Sequence, residues 1–214
     1  MPYRDLSQSI RTGMPTFPGD PAVTVEPHAT LAADGYRVST VACGSHAGTH
    51  VDAPRHTEAD GRPVDALAVD RFALDAVRAD CRGREPRSGI GPDALPATDA
   101  DLLVVRTGWD DHWGTEAYLD HPFLTPAAAA FCVEQGYDVA VDALNVDPTP
   151  TDAATPDEPD GIPAHHALLG NDRLVFENLT DLSGLPDRFE FLAFPLKLAA
   201  GDGAPVRAVA RYER

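Results

Sequence analysis

The chain has 214 residues, 43% of them hydrophobic and 24% charged. It can therefore bury a core, and we expect one domain over residues 1–214. The formal net charge of −17 argues against nucleic acids and anionic membranes as partners, because both would repel the protein. No signal peptide is apparent, and no apolar run approaches the roughly 20 residues that cross a bilayer, so we expect a cytoplasmic protein.

Three scattered cysteines (Cys43, Cys81 and Cys132) and one lysine (Lys197) are the unusual points of the composition. An odd number of cysteines without CxxC spacing argues against a disulfide framework and fits a reducing cytoplasm. Few lysines with many aspartates are typical of adaptation to high salt, where repulsion between charges is screened. A GC-rich genome, which favours Ala, Asp, Arg and Pro codons, would give the same composition.

Short apolar runs separated by Pro and Gly predict seven strands in chain order, over residues 22–26, 36–43, 102–107, 138–141, 174–177, 189–198 and 206–212. Thr125 and Pro126 predict the start of a helix that ends at Gly136. Pro163 predicts the start of a second helix, which stops at Gly170. Many short strands and few helices predict an α/β fold with a mixed sheet.

Residues 148–161 (PTPTDAATPDEPDG) are rich in proline, acidic and nearly without apolar side chains. This composition predicts a surface loop rather than a linker, because the sequence after it is too short for an independent domain. Two interpretations remain open, a mobile bulge and a lid over a functional site.

The densest group of chemically active side chains lies in residues 46–56, HAGTHVDAPRH. His46, His50, Asp52 and His56 all occupy even positions, and in extended chain such residues project from one face. A helix would also bring His46 and His50 together, but the Gly, Thr, Val and Pro residues of this run disfavour a helix. We therefore expect an extended or turning segment with these four side chains grouped.

Two imidazoles and a carboxylate within seven residues form a ligand set that suits Zn²⁺ and also Mn²⁺ or Fe²⁺. Such a set leaves coordination positions open, as catalytic sites require. The alternative is a structural role in the core. It is disfavoured, because three histidines and an aspartate on one face would each need a buried polar partner.

The second half of the site is less distinct in the sequence. His165 and His166 stand at the start of the predicted helix, and Glu177 ends the apolar run Leu174-Val175-Phe176. Glu177 could be a metal ligand or only the exit of a strand, and the residues alone leave both possibilities open.

The motif in residues 46–56 matches HxGTHxDxPxH, the signature of the cyclase-type metal hydrolases, at every specified position. The chain resembles this family, which includes bacterial kynurenine formamidases and isatin hydrolases, over nearly its whole length. The resemblance implies a swivelling β/β/α-like fold. Further similar segments are DLS at 5–7, GMP at 13–15, PGDP at 18–21, RTGW at 106–109, Asp142 with VDP at 146–148, HHALL at 165–169, ENL at 177–179 and GDGAPVR at 201–207.

The resemblance also implies a metal site with one or two divalent ions, Zn²⁺ first and Mn²⁺ as the alternative. His46, His50 and Asp52 match the family's first ligands. Asp52 would bridge to a second ion held by His165 and Glu177. Twelve residues separate His165 from Glu177, as in the family, so the resemblance implies His165 rather than His166 as the ligand.

The activity implied is hydrolysis of a small amide, lactam or ester, in which His56 matches the family's general acid or base. Trp109 and Phe17 are candidates to stack on an aromatic substrate. A homodimer or homotetramer is implied as well, since neighbouring subunits of the family tend to complete the substrate pocket. The alternatives are a lyase or cyclase that uses the same metal site, and a non-catalytic metal-binding protein.

Overall fold

The computed structural model of the protein describes residues 1–213. Within them lie three α-helices: α1 (Leu31–Asp34), α2 (Pro126–Gln135) and α3 (Pro163–Leu169). The same residues form thirteen strands, most of them short: β1 (Tyr3–Asp5), β2 (Thr24–Ala29), β3 (Val38–Ala42), β4 (His50–Asp52), β5 (Ala73–Asp80), β6 (Gly89–Ile90), β7 (Leu102–Arg106), β8 (Phe123–Leu124), β9 (Asp138–Val141), β10 (Val175–Glu177), β11 (Arg188–Leu192), β12 (Gly203–Pro205) and β13 (Val209–Arg211).

Nine strands form one mixed sheet in the order β1-β13-β11-β5-β7-β9-β10-β4-β12. The central strands β5, β7, β9 and β10 run parallel, and the strands outside them pair antiparallel. Parallel strands need covered faces, and a separate apolar cluster packs on each face of the sheet. The predicted α/β class with a mixed sheet, many short strands and few helices is confirmed.

The two predicted helices form where their capping residues indicated. The Thr125 side chain accepts a hydrogen bond from the Ala128 N–H, and Gly136 ends α2 in the left-handed conformation with φ of 84°. Glycine adopts this conformation without steric cost. Helix α3 begins at Pro163 as predicted. In residues 1–213, no helix has the length and apolar character needed to cross a membrane.

Several predicted strand bounds are wrong. The first predicted strand lies at Thr24–Ala29 instead of 22–26, the strand predicted over 189–198 ends at Leu192, and that over 206–212 is reduced to Val209–Arg211. The eight-residue strand β5 was not predicted, because Asp75, Arg78 and Asp80 interrupt its apolar residues. Strand β12 was missed because Gly and Pro are poor strand formers, although an edge strand tolerates Pro.

Strands β2 and β3 form a hairpin outside the main sheet. All five residues of β3 are exposed, and Leu31, Tyr36, Val38 and Val41 of the hairpin are among the large apolar side chains on the surface. A two-stranded hairpin is only marginally stable by itself. Within one subunit, this hairpin therefore presents apolar surface that nothing in residues 1–213 covers.

Candidate metal centre

Strands β4 and β10 position three of the candidate ligands. They pair antiparallel with His50 opposite Glu177 and Asp52 opposite Val175. His50 and Asp52 are two residues apart on one strand, so their side chains lie on the same face of the sheet. The pairing thus places two carboxylates and one imidazole together, all buried.

Helix α3 supplies the fourth candidate, His165. The Asp147 carboxylate accepts hydrogen bonds from the backbone N–H groups of Ala164 and His165 at 2.8 and 2.9 Å. These N–H groups at the start of a helix have no partner within the helix. The same carboxylate accepts a hydrogen bond from Nδ1 of His165 at 2.8 Å, so Asp147 fixes both the helix and the imidazole. His166 instead faces Glu58 on the surface.

Residues 46–56 are not extended throughout, contrary to the expectation from their even numbering. Gly48 has a φ of 65°, which turns the chain between His46 and His50, and only His50–Asp52 forms a strand. A short 3-10 helix, Pro54–His56, then returns His56 to the site. The four side chains do group together, but by two turns around a short strand rather than by strand periodicity.

The buried carboxylates and imidazoles meet around Asp52. His50 Nε2 lies 3.3 Å from Asp52 Oδ1 and 3.5 Å from Glu177 Oε2. His165 Nε2 lies 3.4 Å from Asp52 Oδ2 and 3.5 Å from Glu177 Oε1. Asp52 Oδ2 is buried and has no hydrogen-bond partner among the described residues. A buried carboxylate oxygen without a partner is costly, which indicates that it serves a ligand.

Hydrogen bonds on the far side of each ring decide which nitrogen faces this centre. His50 Nδ1 lies 2.8 Å from the Gly48 carbonyl, and His165 Nδ1 lies 2.8 Å from the Asp147 carboxylate. Both oxygens can only accept, so each Nδ1 carries the proton and a neutral ring offers a bare Nε2 to the centre. This arrangement is typical of metal-binding histidines.

The separations also suit a divalent ion. Two ligand atoms about 2.1 Å from one ion at a tetrahedral angle are about 3.4 Å apart, and the four imidazole–carboxylate distances are 3.3 to 3.5 Å. Without a cation or extra protons, the unprotonated Nε2 atoms of His50 and His165 would be repelled by the carboxylate oxygens that face them, because both kinds of atom carry partial negative charge. The residues present therefore fit a divalent metal.

A second possible group of ligands shares Asp52. The atoms of His46, Asp52 and His56 lie within 4.8 Å of one another, as do those of His50, Asp52 and Glu177. His46 Nδ1 is 2.6 Å from Asp52 Oδ1, and its Nε2 is 3.1 Å from Asp202 Oδ2. The His46 and His56 rings are 4.1 Å apart between centroids. The sequence predicted that His46 and His50 bind the same ion and that His56 is not a ligand. In the structure, His46 instead groups with His56 and Asp52, and His50 groups with Asp52 and Glu177.

The protonation of the cluster reflects burial and its internal charges. Burial opposes protonation of His46, yet the carboxylates of Asp52 and Asp202 raise its pKa to about 9. Burial and the Asp52 charge raise the pKa of Glu177 to about 7. Burial and the neighbouring imidazoles lower the pKa of His56. Metal binding generally displaces protons held by such ligands. A cation that binds here would therefore release protons from this cluster.

A cavity of about 230 Å³ opens onto the centre. Four of the candidate ligands and His56 line it, together with Phe17, Asp20, Leu144, Asn145, Ile162 and Asn178. Trp109, a candidate from the sequence to contact substrate, is not among the residues that line the cavity. Its ring is buried in the core and its Nε1 donates to the Ala117 carbonyl at 3.0 Å. Its place directly after β7 directs the indole into the core that covers the sheet.

Two residues of the site carried no role in the sequence interpretation. Asp147 orients His165, and Asp202 contacts His46 and lies 3.7 Å from His56 Nδ1. Both belong to family-like segments, at 146–148 and 201–207, and this was the signal that could have revealed them. Their distance along the chain from residues 46–56 concealed the contacts.

A family model described as "Putative cyclase" matches residues 4–148, more than half of the chain. The kynurenine formamidase of Salinibacter ruber (strain DSM 13855 / M31) is 33% identical over 216 residues, which cover 97% of this chain and 96% of that protein. The kynurenine formamidase of Maricaulis maris (strain MCS10) is 30% identical over 219 residues, with 97% and 96% covered.

Among solved structures, isatin hydrolase A from Ralstonia solanacearum is similar with a TM-score of 0.85 and 27% identity, covering 98% of this chain and 91% of that one. The similarity in fold and in sequence confirms the resemblance that residues 46–56 suggested. The chain belongs to the cyclase family.

Proposed function

We propose that the protein is a metal-dependent hydrolase of a small amide, lactam or ester, similar to arylformamidases and isatin hydrolases. The relatives support a hydrolase that acts on carbon–nitrogen bonds other than peptide bonds. The observation that carries the proposal is the buried Asp52 carboxylate, which lies between His50 and His165. Both of these histidines line the cavity.

The proposed ligands are His46, His50, Asp52, His165 and Glu177, with Asp52 shared if two ions bind. Zn²⁺ is our first choice and Mn²⁺ the alternative, because imidazole and carboxylate suit both. A divalent cation held here would supply Lewis acidity for a carbonyl group and make water acidic enough to deprotonate near neutral pH.

His56 is proposed as the general acid and base. Its side chain is 31% exposed, whereas that of His46 is 16% exposed and those of His50 and His165 are 3% exposed. Among the imidazoles that line the cavity, it is therefore the one most accessible to a substrate. Imidazole accepts and returns protons near neutral pH. His56 would accept a proton from the attacking water and donate it to the leaving nitrogen or oxygen.

The cavity suits a small substrate with an aromatic ring. Phe17 lines it and can stack on such a ring. No Lys or Arg is among the described residues that line it, so the carbonyl group to be attacked has no ammonium or guanidinium group as a partner there. The negative charge that develops on the carbonyl oxygen would therefore be stabilised at the end of the cavity where the metal ligands lie.

The experiment is turnover of N-formylkynurenine, isatin and phenyl acetate by protein loaded with Zn²⁺ or Mn²⁺. Hydrolysis of at least one, abolished by a chelator and restored by the ion, is the expected result. In ¹⁸O-labelled water the product must gain one solvent oxygen, whereas a lyase or cyclase would add none. Metal binding without any turnover would favour the non-catalytic alternative.

We also propose a homodimer or homotetramer in which the hairpin β2–β3 is covered by a neighbouring subunit. The exposed apolar residues of the hairpin support this assembly. A cytoplasmic location is proposed because Cys43, Cys81 and Cys132 form no disulfide.

A further inference from the structure

The acidic loop at residues 148–161, here named the strap, has both of its ends in the metal centre. Before it, the Val146 N–H donates to Glu177 Oε1 at 3.1 Å, and Asp147 binds His165. After it, Ile162 lines the cavity and the chain enters α3. The position of the strap therefore bears on two candidate ligands.

One buried arginine holds the strap. Arg87 donates through Nε to Glu158 Oε1 at 2.8 Å, through Nη2 to the Thr149 carbonyl at 3.0 Å, and through Nη1 to Thr151 Oγ1 at 3.0 Å. It also binds Asp120 Oδ1 at 3.0 Å, outside the strap. The side chains of Arg87 and Glu158 are only 7% and 8% exposed.

These contacts join the two limbs of the strap to the body of the protein. Thr149 is on the outgoing limb, two residues after Asp147, and Glu158 is on the returning limb, four residues before Ile162. The strap itself contains four carboxylates and no Lys or Arg, so the cation that joins its limbs comes from elsewhere in the chain.

The backbone at Arg87 is adapted to this task. Its φ is 57°, in the left-handed region that non-glycine residues seldom occupy. Its N–H donates to the Asp120 carbonyl at 2.9 Å, which directs the side chain under the strap. A strained residue whose side chain makes several buried polar contacts is often held for a functional reason.

We propose that Arg87 is a positioning residue for the metal centre: by joining Thr149 to Glu158 it fixes the strap, and through Asp147 it sets the orientation of His165. The inference rests on the metal centre of the proposed function. Loss of contacts that orient a ligand typically lowers metal affinity about 10–100-fold. Arg87 should therefore influence the metal although it touches none of the ligands.

The test is a Co²⁺ titration of the metal-free protein followed by visible absorption, whose bands report ligand geometry. The main variant is the double substitution Arg87→Gln/Glu158→Gln, which removes both charges of the most buried pair together. Asp120, whose side chain is 31% exposed, keeps its hydrogen bond from Thr151 Oγ1. Arg87→Lys keeps the charge but not the planar fork. The control is Arg188→Gln, which removes an exposed pair with Asp75 and Asp99 far along the sheet.

We expect the double variant to bind Co²⁺ about 10–100-fold more weakly with altered bands, Arg87→Lys to lie between it and wild type, and Arg188→Gln to match wild type. If the double variant is folded by circular dichroism and shows wild-type affinity and bands, the role of Arg87 is overturned while the metal centre of the proposed function stands. If the double variant does not fold, wild-type behaviour of Arg87→Lys would overturn it. Failure of the wild-type protein to bind Co²⁺ would instead remove the metal centre itself.

Discussion

His50 Nε2 lies 3.5 Å from Oε2 of Glu177, its direct partner across the antiparallel strands β4 and β10. Two residues that are 127 positions apart in the chain are thus held by backbone pairing, without help from loop conformation. A site on paired strands is better fixed than one on loops. The metal-binding geometry should therefore form in the folded protein before any ion arrives.

We predict that His50→Ala lowers metal affinity at least 10–100-fold, since even the loss of residues that only orient ligands costs that much. Metal analysis after dialysis against a calibrated chelator measures the change. His166→Ala is the matched control, because His166 faces Glu58 on the surface and should keep wild-type affinity. Full metal occupancy in His50→Ala would exclude His50 as a ligand.

His56→Ala should retain metal and fold but lose turnover by about 10²–10⁴, the usual contribution of a general acid or base. The structure makes this test necessary, because possible ligand atoms of His56, His46 and Asp52 lie within 4.8 Å of one another, and His56 could therefore share an ion with the other two. Metal content and kcat are measured on the same preparation. If metal is lost together with activity, His56 is a ligand and its proposed role is wrong.

His121, which is not one of the candidate metal ligands, makes a pH-dependent contribution to stability. Complete burial lowers its pKa to about 4. The neutral ring fits its surroundings: Nδ1 donates to the Pro122 carbonyl at 2.9 Å and Nε2 accepts from Thr149 Oγ1 at 2.8 Å. The unfolded chain, with a pKa near 6.5, binds this proton more readily. Stability from His121 is therefore complete above about pH 6.5 and is lost as the pH falls toward 4, by about 3 kcal/mol.

The measurement is urea unfolding of wild type and His121→Asn between pH 4.5 and 7.5. The difference between the two proteins is the quantity to follow, because Asp138 acts in the opposite sense: burial raises its pKa to about 6. The variant should be less stable at pH 7, and the gap should narrow toward pH 4.5. A gap that stays constant would refute the assignment.

The site could be predicted from sequence where ligands are close in the chain. Residues 46–56 identified His46, His50 and Asp52 because a dense polar run has few structural uses. Glu177 was ambiguous, since only its pairing opposite His50 distinguishes a ligand from a strand end. Asp147 and Asp202 were not assigned, because their roles depend on hydrogen bonds to residues distant in sequence.

The fold shows the same limit. Helix α2 was predicted through its Thr125 cap and Gly136, which are local signals. Strand β5 was not, because Asp75 and Arg78 interrupt its apolar run; both find partners at the sheet surface, Asp75 with Arg188 and Arg78 with Asp187. Those ion pairs form only after the strands are placed side by side.

We expect the protein to be at least a dimer in solution, with the β2–β3 hairpin in the interface. Val41, 55% exposed on β3, would then be buried by the partner, and Val41→Asp should shift the protein toward the monomer. Val69→Asp is the control, since Val69 is also exposed but lies outside the hairpin. If light scattering gives wild type a molecular mass of 22.8 kDa, the mass of one chain, the assembly is ruled out.

The protein should also need salt to remain folded. Acidic residues number 34 against 17 Lys and Arg, so half of the carboxylates would lack a cationic partner even if every basic residue were paired. Their repulsion reaches farther at low ionic strength, because the Debye length grows from about 3 Å at 1 M to about 30 Å at 0.01 M. An interface that brings two such surfaces together should respond first, so dissociation is expected before unfolding as salt is removed. Thermal melts and light scattering over a NaCl series test this order. A melting temperature that is constant or falls with added salt would contradict it.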